Sequence, residues 1–516
     1  MKLLLVVVDA ATPNVVAPAV RTGRLPVLQR LADAGTMHEA SVSIFPSITP
    51  AATTSIITGA YPAEHGIAGA SWYDEQRQEV AYYGDDFWVI AREGFGPFVN
   101  DFLLRLNGDR LRAPTLFEMV ERAGRTAACL NYLVFRGNQP HRVRIPGLIA
   151  ALPGVPLAET VEGPSILSLG DFVGTPVAGQ KLDREDGLLH RFGMDDASTG
   201  AMLEDLFSAP ERPDLTVAYF ADNDYRSHQV GPHAALSVIE KVDRRLGAAF
   251  DAAGGLDRVL ADTCVLLTSD HGHCEILGDA DRAVIRLDRI LANFRQAALG
   301  RAWNRRDEIL ICPNMRAAQI YVRDASSDRV ARIVGDLSAE PRIDQIIWRT
   351  GLTRPGAEGY TVLSPRGRLE FARTWDRGAL ADAFGGAWNW RGDGEALGVE
   401  LDDGRIEFDQ YPNAFERIAG VLDLDHSGEI WVTARPGCEF EVPGGKAHLG
   451  GASHGALHAL DSFSPVILAG GGPGHRLPRD LRSIDLAPLC MDLLGIPMRY
   501  RPGMPRCGAA PVPTGR

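Results

Sequence analysis

Short apolar runs recur along the chain, and each is followed by an acid or a histidine. Residues 3–8 (LLLVVV) end at Asp9, residues 215–220 (LTVAYF) precede Asp224, and residues 264–269 (CVLLTS) end at Asp270. Because these runs show no alternation of apolar and polar positions, they predict central strands covered on both faces.

The segments between these runs carry apolar residues at spacings of three and four. Residues 113–124 and 237–254 are the clearest examples, and both predict amphipathic helices. Strands that alternate with helices predict an α/β fold: a doubly wound, mostly parallel sheet with helices on both faces. In such sheets ligands bind beyond the carboxyl ends of the strands. The candidate residues at these ends are Asp9, Asp224, His228, Asp270, His271 and, before another apolar run, His454.

Hydroxyl side chains crowd the start of a predicted helix that ends near Thr58-Gly59. They are Ser47, Thr49, Thr53 and Thr54. Thr49 directly precedes Pro50, a residue that suits the first turn of a helix, so one interpretation of Thr49 is an N-cap. The other is a nucleophile, since a helix N-terminus also stabilises an anionic substrate.

Residues 281–449 do not continue the alternation of apolar runs and amphipathic segments seen in the first half of the chain. They predict a strand pair at 309–313 and 317–324, a helix at 328–337, a strand at 342–351 and a hairpin at 360–373. We therefore expect an inserted α+β cap over 281–449, and a catalytic core formed by residues 1–280 and 450–516.

Composition narrows the classes of function. The 516 residues are 45% hydrophobic and 23% charged, as in ordinary globular enzymes, and the net charge of −13 disfavours a nucleic-acid polymer as partner. Seven scattered cysteines without a CxxC motif predict a reduced, cytoplasmic protein. The first apolar run is short and stopped by Asp9, which favours a strand over a signal peptide, and no run reaches the ~20 residues of a membrane span.

Three carboxylates and three imidazoles at one edge of a sheet match the preferences of Zn²⁺. Asp224 and His228 are four residues apart, so both can reach one metal from a single helical turn. Each residue alone could be a helix cap or a buried polar group, but their joint placement favours a metal site. Pairs of metals are a recurrent device of phosphoryl transfer.

Thr49 with the later YPAEHGI, together with five further spaced motifs, carries a resemblance to a known family. The five are VVVDA at the start, D-x-x-x-H-x-x-G-P at 224–232, SDHG at 269–272, SHG at 453–455 and a closing SIDLAPLCMDLLGIP at 483–497. In these motifs the sequence resembles the type I phosphodiesterase/nucleotide pyrophosphatase branch of the alkaline phosphatase superfamily, over about 1–280 and 450–500. The resemblance implies an alkaline phosphatase-like core with Thr49 as nucleophile. It implies one zinc held by Asp9, Thr49, Asp270 and His271, and a second held by Asp224, His228 and His454; other divalent metals such as Mn²⁺ also suit these ligands.

The sequence departs from the family at one position. The family has an asparagine three residues after HGI that helps to hold a substrate oxygen, and here Ala70 occupies that place, beside Ser71. Ser71, Arg226 and His273 are our candidates for substrate contacts. The alternatives are an exposed loop charge for Arg226 and a packing role for His273.

These features predict a two-zinc phosphodiesterase that acts on a small anionic phosphoester through a covalent phospho-threonine. The alternatives are a phosphomonoesterase or phosphonate hydrolase with the same metals, and a metal-holding binding protein without turnover. A sulfatase is disfavoured because no arginine stands four residues after Thr49, and a serine hydrolase because no GxSxG motif occurs. The sequence predicts neither the oligomeric state nor the physiological substrate.

Overall fold

A computed structural model describes residues 1–84, 101–144, 159–177, 180–181, 193–374, 378–441, 447–471 and 477–498. Within these residues, nine strands form the first sheet. In spatial order they are Leu481–Arg482, Gly35–Val42, Phe463–Ala469, Thr263–Thr268, Lys2–Val8, Leu215–Phe220, Ala127–Leu130, Ile166–Leu169 and Val173–Gly174. The five strands from Thr263–Thr268 to Ile166–Leu169 run parallel. The predicted fold class, a mostly parallel α/β sheet, is confirmed.

The central strand Lys2–Val8 is buried on both sides, as its unbroken apolar run predicts. Leu3, Leu5 and Val7 belong to one hydrophobic core, whereas the residues between them belong to another on the opposite face. Helices cover both faces because each core needs an apolar partner layer. The helices packed on this sheet include Pro13–Arg21, Pro26–Ala34, Thr49–Thr58, Leu116–Arg122, Asp196–Ser208, Pro232–Ala252, Leu256–Asp262 and Leu486–Leu493.

Ten strands of the described part of the predicted insertion form a second sheet. In spatial order they are Ile309–Asn314, Ala317–Val322, Ile430–Ala434, Ile343–Arg349, Tyr360–Ser364, Gly367–Arg373, Ala387–Gly392, Leu380–Asp382, Arg405–Phe408 and Val399–Asp402. Helix Ser327–Ser338 packs into one hydrophobic cluster of this sheet and helix Ala414–Leu422 into another. The limits of core and cap stay a prediction, and residues 499–516 of the predicted core lie outside the described residues.

Smaller elements lie outside the two sheets. The two-stranded ribbons are Ser71–Asp74 with Glu79–Tyr82, Gln139–Arg142 with Thr160–Gly163, Pro176–Val177 with Gln180–Lys181, Cys274–Glu275 with Ala452–Ser453, and Val284–Ile285 with Glu439–Phe440. The short helices are Pro62–His65, Asp101–Leu106, Asp222–Val230, Ala280–Ala283, Leu287–Ile290, Thr350–Leu352, Gly394–Leu397, Ala459–Ser462 and Ser483–Asp485. In the part of the chain that the structure describes, no helix has the length and apolarity to span a membrane.

Of the two interpretations of Thr49, the N-cap is wrong. Helix Thr49–Thr58 begins at Thr49 itself, Ile48 holds the extended cap position, and no side chain caps the helix. The Thr49 hydroxyl is directed instead toward His271, 3.0 Å away, and this contact takes the place of a capping bond.

Candidate active site

Two clusters of acids and histidines lie at the carboxyl ends of the central strands. The first contains Asp9, Asp270 and His271, and the second contains Asp224, His228, His273 and His454. Each residue offers one possible ligand atom, and within each cluster these atoms all lie within 4.8 Å of one another. Either cluster could therefore hold a metal ion. The first is dominated by carboxylate oxygens and the second by imidazole nitrogens.

The first cluster is built from two adjacent parallel strands. Asp9 follows strand Lys2–Val8, while Asp270 and His271 follow strand Thr263–Thr268. His271 Nε2 lies 3.6 Å from Asp9 Oδ1 and 3.4 Å from Asp270 Oδ2. Parallel neighbours end at the same edge, so the two acids meet without any special loop.

The second cluster forms around Asp224. Helix Asp222–Val230 carries Asp224 and His228 one turn apart, with His228 Nε2 at 3.4 Å from Asp224 Oδ2. Asp224 Oδ1 lies 3.0 Å from His273 Nε2 and 3.7 Å from His454 Nε2. The two clusters adjoin, because the rings of His271 and His454 stack with centroids 3.7 Å apart.

A short ribbon brings His454 to the site from beyond the predicted insertion. Cys274 pairs with Ser453 in an antiparallel ribbon, which sets the adjacent His273 and His454 side by side. Gly451 permits this approach, because a Cβ on it would lie 2.0 Å from the carbonyl oxygen of His228. Any larger residue at position 451 would push the ribbon away from the helix that carries His228.

The hydrogen bonds of three imidazoles fix their tautomers. The Nδ1 atoms of His228, His271 and His454 lie 2.7, 3.1 and 2.8 Å from the carbonyl oxygens of Ala452, Gly272 and Ser47. A carbonyl only accepts, so each Nδ1 carries the proton and each Nε2 keeps its lone pair. This arrangement of a ring held by a backbone oxygen is typical of metal-ligating histidines.

Several buried atoms of the clusters make no hydrogen bond with any described residue: Asp9 Oδ1, Asp270 Oδ2 and His454 Nε2. Burial, followed by repulsion from Asp270 and Asp224, raises the pKa of Asp9 well above its usual range. Burial likewise raises the pKa of Asp270. Buried carboxylates without a compensating cation are costly, whereas a divalent ion would use these oxygens as ligands. The residues present therefore fit metal binding.

Neighbouring side chains orient the carboxylate of Asp9. The Tyr219 hydroxyl donates to Asp9 Oδ2, and Asn223 Nδ2 donates to the Asp9 carbonyl oxygen at 2.8 Å. The spacing of motifs along the sequence does not predict this role of Tyr219. A tyrosine inside an otherwise apolar strand was the available signal, because a buried hydroxyl needs a partner.

Thr49 differs from the other hydroxyls at the start of its helix. Its Oγ1 faces the first cluster, 3.0 Å from His271 Nε2. Ser47 donates to the carbonyl oxygen of Ala456, and Thr53 and Thr54 donate to carbonyl oxygens one turn back in their own helix. Those three hydroxyls are engaged in structural hydrogen bonds.

The predicted substrate contacts lie in three different environments. His273 joins the second cluster. Arg226 is exposed and donates to Gln229 Oε1 on its own helix. Ser71 is buried, and its hydroxyl bonds the Cys312 thiol, whose pKa is raised by burial to about 12.

An asparagine from the second sheet supports the backbone at the position where the family's asparagine is missing. Asn314 Oδ1 accepts from the backbone N–H groups of Ala70 at 2.7 Å and Ser71 at 3.1 Å, and its Nδ2 donates to the Ser71 carbonyl oxygen at 3.0 Å. Asn314 lies 244 residues from Ala70 in sequence, so no local pattern could predict the contact.

Two adjacent Asp/His clusters that could hold metal ions thus lie beside a hydroxyl, at the carboxyl ends of a mostly parallel α/β sheet. Residues 3–457 match the type I phosphodiesterase / nucleotide pyrophosphatase family, and the chain belongs to this family.

Curated relatives match only locally. A 2,3-bisphosphoglycerate-independent phosphoglycerate mutase of Syntrophotalea carbinolica is 40% identical over 90 residues, which cover 17% of this chain and 16% of that protein. A mutase of the same name from Wolinella succinogenes is 39% identical over 66 residues, 13% of this chain and 12% of that protein. The matched stretches are thus less than a fifth of either relative.

Solved structures share the fold over nearly the whole chain. Human ectonucleotide pyrophosphatase / phosphodiesterase 5 superposes with a TM-score of 0.56 and 16% identity, covering 99% of this chain and 97% of that one. An inactive variant of the murine protein, in complex with AMP, has a TM-score of 0.55 and 16% identity, covering 96% of this chain and 96% of that one. Phosphonoacetate hydrolase from Sinorhizobium meliloti, in complex with phosphonoformate, has a TM-score of 0.54 and 20% identity, covering 96% of this chain and 96% of that one.

Proposed function

We propose that the protein is a metal-dependent hydrolase of phosphoric esters, of the phosphodiesterase type, with Thr49 as its nucleophile. The observation that carries the proposal is the position of the Thr49 hydroxyl, which faces the first Asp/His cluster while its neighbours donate to carbonyl oxygens. Membership of the type I phosphodiesterase / nucleotide pyrophosphatase family supports it.

The ligand sets follow from the two clusters. Asp9, Asp270, His271 and Thr49 would hold one divalent ion, and Asp224, His228 and His454 would hold a second; zinc suits both sets, and Mn²⁺ is an alternative. Such ions, when bound, lower the pKa of a hydroxyl and neutralise charge on phosphoryl oxygens. The chain's own part is to hold these ligands in fixed orientations through backbone carbonyls and Tyr219.

Thr49 then acts as a covalent catalyst. Its Oγ1 forms a bond to phosphorus as the bond from phosphorus to the leaving oxygen breaks; the hydroxyl proton passes to solvent, and the leaving oxygen takes a proton from water. Water subsequently cleaves the bond between Oγ1 and phosphorus, which releases the phosphoryl group and restores the hydroxyl. The dipole of the helix that begins at Thr49 favours an anionic substrate at this end.

The substrate in this proposal is a small anionic phosphoester. Similarity to structures that hold AMP or phosphonoformate motivates both a diester and a phosphonate as test substrates. We also propose a cytoplasmic location, supported by the six described cysteines, all of which are free thiols; cell fractionation tests that part.

The deciding experiment measures bound metal and hydrolysis together, with a chromogenic phosphodiester, its monoester and a phosphonate. Thr49→Ala should keep the fold, and should keep bound metal through the remaining ligands, the three residues of the first cluster, but should lose turnover by several orders of magnitude, while Thr49→Ser keeps part of the activity. Ser47→Ala, Thr53→Ala and Thr54→Ala are matched controls, expected within about tenfold of the wild type, or ~1.4 kcal/mol in barrier. Near wild-type turnover in Thr49→Ala would refute the mechanism, and metal binding with no turnover on any ester would favour a binding protein.

A further inference from the structure

His273 has the position and the chemistry of a metal ligand, although the family motifs do not include it. Its side chain is 2% exposed. Its Nε2 lies 3.0 Å from Asp224 Oδ1 without forming a hydrogen bond to any described residue. A buried imidazole nitrogen that is aimed at a carboxylate and three other imidazoles requires an explanation.

The distances around Asp224 match those of ligands on one ion. Bonds of 2.0–2.1 Å in a tetrahedral arrangement place neighbouring ligand atoms about 3.3 Å apart. Asp224 Oδ1 lies 3.0 Å from His273 Nε2 and 3.7 Å from His454 Nε2, and Asp224 Oδ2 lies 3.4 Å from His228 Nε2. The His273 contact is therefore closer to the ideal separation than the His454 contact, although the His228 contact is closer still.

Ser227 supplies the polar contact on the other side of the ring. Its buried hydroxyl lies 2.7 Å from His273 Nδ1, and the hydroxyl oxygen can accept a hydrogen bond from an N–H at that atom. When it does, His273 Nε2 keeps its lone pair for a metal. Ser227 stands next to His228, on the helix that also carries Asp224, so the same helix positions both the ligands and this support.

We propose that His273 is a fourth protein ligand of the second site, which makes that site three nitrogens and one oxygen. The inference rests on the proposed function, because it assumes that the clusters bind metal. Nitrogen-rich sites favour zinc, whereas oxygen-rich sites accept Mn²⁺. The second site should therefore bind zinc more tightly than the first.

A competing role for His273 is that of a positioning residue. In that role Nε2 carries the proton and donates to Asp224, and the ring never bonds the ion. Loss of such an outer partner lowers metal affinity about 10–100-fold, whereas loss of a direct ligand should exceed that range. The two roles also differ in the distance from Nε2 to the ion.

The test uses the full-length protein and zinc. Chelator competition compares the wild type with His273→Gln, with Ser227→Ala as an outer-partner variant, and with His448→Gln as the control. His448 is a suitable control because its ring lies 4.2 Å from that of His228, but it is not among the ligand atoms of either cluster. A crystal structure of the zinc-loaded wild type gives the distance without relying on any variant.

We expect one of two zinc ions to bind more than about 100-fold more weakly in His273→Gln, a smaller loss in Ser227→Ala and less than tenfold in His448→Gln. The zinc-loaded structure should show His273 Nε2 at about 2.0–2.1 Å from the ion. Two bound zinc ions with His273 beyond bonding distance would overturn this inference and leave the proposed function standing. A wild type that binds no zinc would overturn both.

Discussion

A buried ion pair joins the second sheet to the segment that carries His454. Arg316, in the turn between the first two strands of the second sheet, and Asp461, in the short helix before strand Phe463–Ala469, both have side chains that are fully buried. Arg316 donates to Asp461 and to the carbonyl oxygens of Cys438 at 3.0 Å and Ala434 at 2.9 Å. Although burial opposes it, Asp461 raises the pKa of Arg316, so the guanidinium stays charged.

This pair supports the site through the backbone. The N–H of Arg316 donates to the carbonyl oxygen of His454 at 2.9 Å, and that of Ala456 donates to Asp461 Oδ1 at 3.2 Å. The Asp461 carbonyl oxygen accepts from Gly272, next to His271, at 2.9 Å. A change at Asp461 should therefore affect both the stability of the protein and the affinity of the metal site.

We predict that Asp461→Asn lowers the free energy of unfolding by about 3–5 kcal/mol, because it leaves the buried guanidinium without a counter-charge. Glu39→Gln is the control, since Glu39 pairs with Arg21 on the surface, where the side chains are 54% and 61% exposed. An exposed pair contributes at most about 1 kcal/mol. The assay is an equilibrium urea titration of the metal-free proteins.

A double-mutant cycle makes the prediction sharper. The double variant Arg316→Met/Asp461→Asn should lose less free energy of unfolding than the sum of the two single variants, by about 0.5–3 kcal/mol. The reason is that each single variant already leaves its partner without a counter-charge. Losses that add within error, or an Asp461→Asn variant as stable as Glu39→Gln, would show that the pair does not hold the two parts together.

Three further changes have defined outcomes. Tyr219→Phe removes the hydrogen-bond donor to Asp9 and should weaken metal binding by the first cluster about 10–100-fold in chelator competition. An unchanged metal affinity would show that this hydrogen bond does not support metal binding. Burial lowers the pKa of His65 to about 3, so between about pH 3 and 6.5 the unfolded chain protonates this imidazole and the folded chain does not. The free energy of unfolding should therefore fall as the pH falls through that window, and it should fall less steeply in His65→Gln. Asn314→Ala should cost about 1–3 kcal/mol in urea titrations, since it leaves the N–H of Ala70 without its acceptor, and a wild-type midpoint would contradict this.

The strands and most of the clustered residues follow from the sequence for a simple physical reason. A strand covered on both faces carries no charged residue along its buried length, so its end is marked by the first acid that follows it, as Asp9 and Asp270 show. Parallel strands bring those ends to one edge. The residues that depend only on this rule were therefore predictable.

Residues placed by tertiary contacts were not predictable in the same way. The N-cap interpretation of Thr49 failed because its hydroxyl contacts His271, 222 residues away in sequence, and local helix rules do not include such a partner. Asn314 supports Ala70 across the two sheets, and its sequence neighbours give no sign of it. In both cases long-range geometry overrides a local preference.

The position of His454 shows how residues that are far apart in sequence can share one site. The segment between Cys274 and Ser453 begins and ends at one two-stranded ribbon, in which these two residues are directly paired. The pairing fixes the spacing of His273 and His454 whatever lies between, because a strand register leaves no freedom along the chain. The intervening residues can then change without moving His273 and His454, provided that Gly451 keeps the ribbon against His228 and that the contact of Arg316 with His454 remains. This architecture thus permits variation between Cys274 and Ser453 while the two Asp/His clusters keep their geometry.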